Sequence, residues 1–459
     1  MRRTKVEEAV RADSPRDPVL IQGWVRTRRS SKKVHFLEVN DGSGPESIQV
    51  VAPADMETVD QVERAATGAA VSVYGALVAS GGKGQSWEIQ ARQVQLLGEA
   101  DPESYPLQKK RHSDEFLRSI AHLRFRSNKY GAVNRIRSRA ALAVHEFFRE
   151  RGFVCLHTPI LTSSDCEGAG ELFKVVAKDP ESIGKEGYSP EEDFFGKKAY
   201  LTVSGQLAAE AAACGLGQVY TFGPAFRAED SNTPRHAAEF WMVEPEVAFA
   251  DLEEIVDLAQ GLLEYIVDRV LLECPRDLQQ LSRFAELDLL RRLEWVRDQG
   301  MHRLQYEEAI RLLQQADKSW SYPVHFGADL KTEHERYLAE EHFCAPVAVL
   351  NYPREIKPFY MHENEDGATV AGFDVLLPFV GEIVGGSQRE ARLEVLQRRM
   401  RDLGIDPGDY EWYLDLRRFG SVTHAGFGLG FERLIMFLTA VGNIRDAIPF
   451  PRASGQLDY

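Results

Sequence analysis

The chain has 459 residues, 44% hydrophobic and 27% charged, and its 70 acidic against 55 basic residues give a net charge of −15. These values exclude general disorder, and the length exceeds one ordinary domain, so a large domain with a smaller companion is expected. The acidic balance excludes a nucleic-acid coat over the whole surface but leaves room for a local basic patch. Five scattered cysteines (Cys155, Cys166, Cys214, Cys274, Cys344) form no CxxC pair, which disfavours disulfide frameworks and zinc ribbons and suits a reducing compartment. Residues 1–10 are charged and lack an apolar signal core, and no apolar span of about 18 residues follows. A soluble intracellular protein is expected.

Residues 19–25, 34–40 and 48–51 are rich in β-formers, with Asp41-Gly42-Ser43-Gly44 turning the chain between the last two. A helical stretch at 56–66 ends before Gly68, and 70–79 and 87–97 read as two further strands. Three strands, a helix and two strands is the element order of an OB-fold, a small barrel whose strand face binds oligonucleotides. Residues 101–111 have linker composition. Val133, Ile136, Ala140, Val144 and Phe147 then recur at helical spacing, and Gly152 stops that helix. Residues 174–197 are polar and broken by Pro and Gly, as in a surface insertion. Strand-like runs at 218–226 and 239–250 flank turn residues 230–234, an amphipathic helix covers 252–270, and 275–340 reads as short peripheral helices. Runs at 347–350, 370–376 and 382–384, then a Gly-rich segment and a helix, complete an α+β pattern: a mostly antiparallel sheet flanked by helices. The expected division is a barrel at 1–100, a hinge at 101–118 and a large domain at 119–459.

Arg227 and Glu229 share one face if their segment is extended, and His236 and Phe240 return on the next strand. Arg offers forked donors for phosphate, Glu accepts from an exocyclic amine, and Phe gives a stacking face, so the set can hold a nucleotide. The plainer alternative is a cross-strand ion pair with a core Phe. The second candidate is Gly426-Phe427-Gly428-Leu429-Gly430-Phe431-Glu432-Arg433. Its glycines let backbone approach a ligand before a helix, and a cation in the first turn opposes the helix dipole, which points to an anionic ligand. Near the N-terminus, Arg26, Arg28, Arg29, Lys32 and Lys33 precede Phe36. Basic groups can track a phosphate backbone beside a stacking aromatic, although a solvated hairpin is the default for such a pattern.

Together these segments resemble the signature motifs of the class II aminoacyl-tRNA synthetases. The helix running into Leu156-His157-Thr158-Pro159-Ile160-Leu161 is similar to motif 1, residues 226–240 to motif 2 and 428–433 to motif 3. An OB-fold-like unit precedes them, as in the family's aspartate, asparagine and lysine branch. Ser204-Gly205-Gln206-Leu207-Ala208-Ala209-Glu210, Glu239-Phe240-Trp241-Met242-Val243-Glu244-Pro245-Glu246 and Gly381-Glu382-Ile383-Val384-Gly385-Gly386-Ser387-Gln388-Arg389 resemble the asparagine enzymes of that branch.

The resemblance implies ATP as substrate. Arg227 would grip its α-phosphate, Glu229 the adenine amine, and Arg235 and His236 the distal phosphates. Phe240 and Arg433 would sandwich the adenine, with Gly430 and Glu432 in the same motif. It implies Mg²⁺ on Glu382; the hydroxyl that aspartate enzymes carry three residues later is here Gly385, which makes Glu432 the second candidate. Glu167 matches the residue that holds the substrate α-amino group, Ser204, Gln206 and His424 match pocket positions, and Arg389 meets the substrate side chain. On the barrel, Phe36 would stack the central anticodon uridine and Gln49 would read its edge, with Arg26 and Arg28 on the phosphates. The implied activity is ligation of L-asparagine to tRNA(Asn) through an adenylate, by a cytoplasmic homodimer without membrane attachment. Aspartate enzymes carry a Lys three residues after the pocket Gln; this chain has Ala209 there, then Glu210, which can accept from an amide NH₂ if it faces the pocket. Two rivals are an asparagine-forming synthetase on the same fold and a non-catalytic synthetase-like RNA-binding protein. A tRNA-reading unit argues against the first, and intact Arg227, Glu229, Phe240, Glu382 and Arg433 against the second.

Overall fold

Alternating apolar side chains build the N-terminal barrel. In this computed structural model, which describes residues 2–82, 84–163, 172–177, 193–231 and 233–459, five strands close on themselves in the order β1-β2-β3-β5-β4. They are β1 (Arg16–Ser30), β2 (Val34–Asn40), β3 (Ile48–Pro53), β4 (Ala70–Ala79) and β5 (Trp87–Gly98). Leu37, Val39, Val50, Val71, Val73, Ile89 and Val94 point inward and are fully buried, because successive strand side chains take opposite faces. Closure comes from the parallel pairing of β3 with β5. The helix Val59–Arg64 falls between β3 and β4, giving the OB order expected above. A short helix, Val6–Val10, adds Val6 and Ala9 to the barrel core; its charged composition hides that role in the sequence.

The chain forms two compact units, Met1–Arg135 with Pro275–Leu287, and Ile136–Cys274 with Asp288–Tyr459. The second unit contains β6 (Val154–Cys155), β7 (Leu161–Thr162), β8 (Lys174–Val175), β9 (Ala199–Leu201), β10 (Gln218–Phe226), β11 (Glu239–Ala248), β12 (His302–Gln305), β13 (Val347–Pro353), β14 (Thr369–Leu377), β15 (Gly381–Gln388) and β16 (His424–Gly430). Among the described residues its main sheet runs β12-β13-β14-β15-β16-β11-β10-β6, and β7, β9 and β8 form a small second sheet. The edge pairs β12–β13 and β10–β6 are parallel and the remaining pairs antiparallel, which matches the mostly antiparallel expectation. β12 is a strand inside a stretch that reads as helical. The helix Leu252–Glu273 opens with an Asp251/Glu254 capping box and buries Ile255, Val256, Ala259, Leu262 and Ile266. It packs on β14, β15 and β16.

Two strands at the centre of the sheet position the site. β11 and β16 pair with Met242 opposite Gly430 and Glu246 opposite Gly426, so Phe240, Met242, Glu244 and Glu246 share a face with His424, Gly426, Gly428 and Gly430. Ala425, Phe427 and Leu429 take the opposite face and are buried. Gly426 is required there: a Cβ at that position would stand 2.2 Å from the Glu246 carboxylate. β16 passes directly into the helix Phe431–Thr439. No helix among the described residues is long and apolar enough to cross a membrane. Cys155, Cys214, Cys274 and Cys344 are free thiols.

Candidate functional site

Arg227, Glu229, Arg235, His236, Phe240, Glu382, Gly430, Glu432 and Arg433 line one cavity of about 150 Å³. Residues from two strand ends, the turn between β10 and β11 and the first turn of a helix thus converge. The Arg227 guanidinium lies 5.5 Å from the Phe240 ring centroid, a cation–π distance. Arg433 reaches Glu382 instead, donating to its backbone carbonyl at 3.0 Å and its carboxylate at 3.2 Å. Arg235 donates to Thr332 Oγ1 at 2.8 Å and lies 3.6 Å from the Glu335 carboxylate. Burial, reinforced by the charges of Arg433 and Arg336, lowers the Arg235 pKa. His236 is likewise pushed below its ordinary value by burial and by Arg433, Arg227 and Arg235, against the opposing charge of Glu229. Such a concentration of positive potential suits a polyanion.

Glu382, which lines this cavity, has two further carboxylates, Glu335 and Asp374, beside it. Glu335 accepts the Glu382 backbone N–H at 3.1 Å, and burial together with the Glu382 charge pushes its carboxyl up to about 7. Asp374, on the strand beside Glu382, is raised by burial and by Glu382, while the Lys357 ammonium at 2.7 Å opposes the shift. Asp374 Oδ1 and Glu382 Oε1 each lie 3.4 Å from where a Cβ on Gly385 would stand, so a side chain at 385 would crowd them both. Mutual repulsion among oxygen donors is relieved by a hard cation, and Mg²⁺ needs one or two carboxylates beside phosphate and water. Among the described residues no three His, Cys, Asp or Glu side chains form a metal cage. Glu432 differs from its sequence expectation: its oxygens accept from Arg137 at 2.7 Å and from the Trp241 amide at 2.8 Å. The first ties the helix start to the helix Asn128–Glu150 and the second ties it to β11.

A buried polar network lies under the same sheet face. Glu210 is fully buried, so it is not a surface residue of the helix Gln206–Leu216. Its Oε2 accepts from Tyr413 OH at 2.7 Å and Arg417 at 3.0 Å and meets His424 Nε2 at 3.1 Å, and Oε1 accepts from Gln206 at 3.0 Å. Burial alone would raise this carboxyl, but the His424 hydrogen bond and the Arg417, His424 and Arg389 charges outweigh it and hold Glu210 well below the carboxylate range. Arg389 is nearly as buried. Its Nε donates to Glu246 Oε2 at 3.1 Å, Nη2 to Glu246 Oε1 and Nη1 to Ser387 at 2.9 Å. Burial, with the Glu210 and Glu244 charges, pushes Glu246 up despite that partner. Glu244 accepts from Ser204 Oγ and, at 3.0 Å, from the Gly205 amide. Ala209 instead joins an apolar cluster with Ala213 and Val219, so a Lys there would meet that cluster rather than the polar network. Glu167 lies outside the described residues.

On the barrel, Phe36 pairs across from Arg29 on β1 and Val51 on β3, and Glu38 pairs with Gln49. These residues therefore share the outer face while Leu37 and Val50 fill the core. Phe36 is half-buried on that outer face and is not part of the barrel core. Gln49 donates to Glu88 at 3.3 Å. Arg28 is directed to the carbonyls of Val62, at 3.1 Å, and Glu63 at the end of the helix Val59–Arg64, where a cation suits the helix dipole. Arg26, at the bulge in β1, is mostly buried and reaches Asn40 at 3.4 Å. Arg29 is the cation that flanks Phe36.

The sequence reading missed Glu335, Asp374, Glu244, Glu246, Tyr413 and Arg417. Two acidic residues on one face of a buried strand, in Glu244-Pro245-Glu246, and a Tyr and Arg at i,i+4 in 413–417 were the available signals.

Two family models match the chain: tRNA synthetases class II (D, K and N) over residues 113–454 and the OB-fold nucleic acid binding domain over 19–97. It is 58% identical to the asparagine–tRNA ligase of Nitratidesulfovibrio vulgaris Hildenborough and 56% to that of Oleidesulfovibrio alaskensis, each over 100% of both chains. The solved asparaginyl-tRNA synthetase from Pyrococcus horikoshii, complexed with asparaginyl-adenylate, superposes with a TM-score of 0.87 at 33% identity, covering 100% of this chain and 99% of that one. The chain belongs to the class II tRNA synthetases (D, K and N) and, within them, to the asparaginyl-tRNA synthetase family.

Proposed function

We propose that this protein is an asparagine–tRNA ligase. It activates L-asparagine with ATP to asparaginyl-adenylate and pyrophosphate, then transfers the asparaginyl group to the 3′ end of tRNA(Asn). The observation that carries the choice of amino acid is the buried Glu210 beside Arg389, an anion and a cation 3.9 Å apart. Arg389 has five N–H groups, of which three are engaged among the described residues, so it can donate to a side-chain carbonyl, while Glu210 accepts from an amide. An aspartate carboxylate would meet Glu210 as a like charge.

In the first step an asparagine carboxylate oxygen attacks the α-phosphorus of ATP, and the bond to the pyrophosphate oxygen breaks. Arg227 neutralises the α-phosphate, Arg235 and His236 the distal phosphates, and Phe240 and Arg433 bracket the adenine, with Glu229 accepting from its amine. In the second step the terminal ribose hydroxyl attacks the asparaginyl carbonyl and AMP leaves. No side chain acts as nucleophile; positioning and charge neutralisation carry the catalysis. Glu382 with Asp374 would hold Mg²⁺, which when bound adds Lewis-acid stabilisation of the phosphates. Glu432 is assigned to bracing the start of its helix through Arg137 and the Trp241 amide rather than to the metal. Ser204 and Gln206 line the amino-acid end, where the family resemblance assigns Glu167 to the substrate α-amino group, and His424 acts through Glu210. Phe36, Gln49 and Arg29 form the anticodon face, with Arg26 beside it and Arg28 bracing the barrel helix. Exposed Leu142, Val154, Ile160 and Leu161 around motif 1 support a two-fold homodimer. A cytoplasmic location accords with four free thiols. Pyrophosphate exchange with each standard amino acid tests the reading: asparagine should support it, and a chain that activates no amino acid would revive the RNA-binding rival.

A further inference from the structure

We infer that Arg417, with Tyr413, is a positioning residue that sets the choice of amide over carboxylate by holding Glu210 as an oriented anion. This rests on the asparagine-activating reading. Glu210 is held asymmetrically. Tyr413 and Arg417 donate to Oε2, where His424 also converges, whereas among the described residues Oε1 receives Gln206 alone and faces Arg389. A carboxylate offers about four acceptor sites, so the oxygen on the Arg389 side keeps capacity for an amide NH₂.

Arg417 is itself fixed: Nε donates to the Glu390 carbonyl at 2.8 Å and Nη2 to Tyr413 OH at 3.0 Å. The Arg417–Tyr413–Glu210 triangle thus cannot turn without breaking several buried hydrogen bonds, each costly to leave unmade. The charged and titratable groups facing Glu210 are Tyr413 and Arg417 from the helix Glu411–Arg418, His424 from β16, Arg389 after β15, Glu246 from β11 and Cys214 on its own helix. His424 Nδ1 lies 2.9 Å from the Val422 carbonyl, which orients its ring. Without Arg417, the burial cost on Glu210 is no longer offset and the carboxyl takes up a proton more readily. A protonated Glu210 donates to aspartate and no longer repels it.

The test compares asparagine- and aspartate-dependent pyrophosphate exchange from pH 6 to 9 in wild type, Arg417→Gln, Arg417→Lys and Tyr413→Phe. Arg417→Gln should lower the asparagine-to-aspartate ratio of kcat/KM by roughly 10²-fold, through KM for asparagine with KM for ATP unchanged. Its ratio should fall further as pH drops, while the wild-type ratio stays level. Arg417→Lys should restore most of the ratio, and Tyr413→Phe should lower it by about tenfold. A wild-type ratio in Arg417→Gln at every pH overturns the inference. If that variant does not fold, an unchanged ratio and pH profile in Tyr413→Phe does so. Failure of the wild type to use asparagine at all would instead remove the underlying reading.

Discussion

Arg433 donates to both the carbonyl and the carboxylate of Glu382, at 3.0 and 3.2 Å. The cation proposed to cover the adenine is therefore tied to the carboxylate proposed to hold Mg²⁺. Motif 3 supplies the Arg from a helix start, and β15 supplies the Glu, 51 residues away. Glu382→Gln should reduce asparagine-dependent pyrophosphate exchange by about 10²–10³-fold and raise the Mg²⁺ concentration at half-maximal rate. Titrating Mg²⁺ in both proteins checks this, and an unchanged Mg²⁺ dependence would remove Glu382 from the metal site.

The two proposed functions of the chain should separate by mutation. Arg227→Ala should abolish adenylate formation and leave tRNA binding nearly intact. Phe36→Ala should weaken tRNA binding by about 1–3 kcal/mol, the loss expected for one stacked base, without altering exchange in the absence of tRNA. Filter binding beside pyrophosphate exchange measures both, and equal damage to exchange by the two variants would contradict the division.

The parts legible in the sequence are those with local signals. Period-two alternation and glycine turns mark the barrel strands, and the motif segments around Arg227 and Arg433 carry their own spacing. Glu335 has no such signal, and Arg417 has only its i,i+4 spacing from Tyr413. Glu335 sits in a stretch that reads as short peripheral helices, and folding alone brings Glu335 to Glu382 across 47 residues and Arg417 to Glu210 across 207. Glu432 misleads for the converse reason: a Glu beside the motif Arg looks like a ligand, but the partly buried Arg137 claims it. Arg28 misleads similarly, since helix carbonyls that no local pattern reveals take its guanidinium.

Glu335 should make stability pH-dependent. Its carboxyl is raised to about 7 by burial and the Glu382 charge, so the folded protein binds the proton more tightly than the unfolded chain does. That stabilisation is complete below the unfolded value and is lost as pH rises through about 7. Glu335→Gln mimics the protonated form. Its Tm relative to wild type should therefore rise between pH 5.5 and 8.5, as differential scanning calorimetry can show; a constant or falling difference would contradict the assignment.

The proposed two-fold dimer uses exposed apolar residues of motif 1. Light scattering at micromolar concentration should give twice the chain mass. Ile160→Glu, which sets a charge on that surface, should shift the protein towards monomer. A monomeric wild type would exclude the assembly.

The proposed activity is asparagine selection followed by transfer to tRNA. Its most direct test is aminoacylation of unfractionated bacterial tRNA with labelled asparagine and labelled aspartate in parallel, at equal concentrations with ATP and Mg²⁺. Asparagine should be esterified to one tRNA species, recovered by hybridisation as tRNA(Asn), with aspartate incorporated roughly 10⁴-fold less efficiently. Equal charging with aspartate, or adenylate formation with no transfer to any tRNA, would contradict the account.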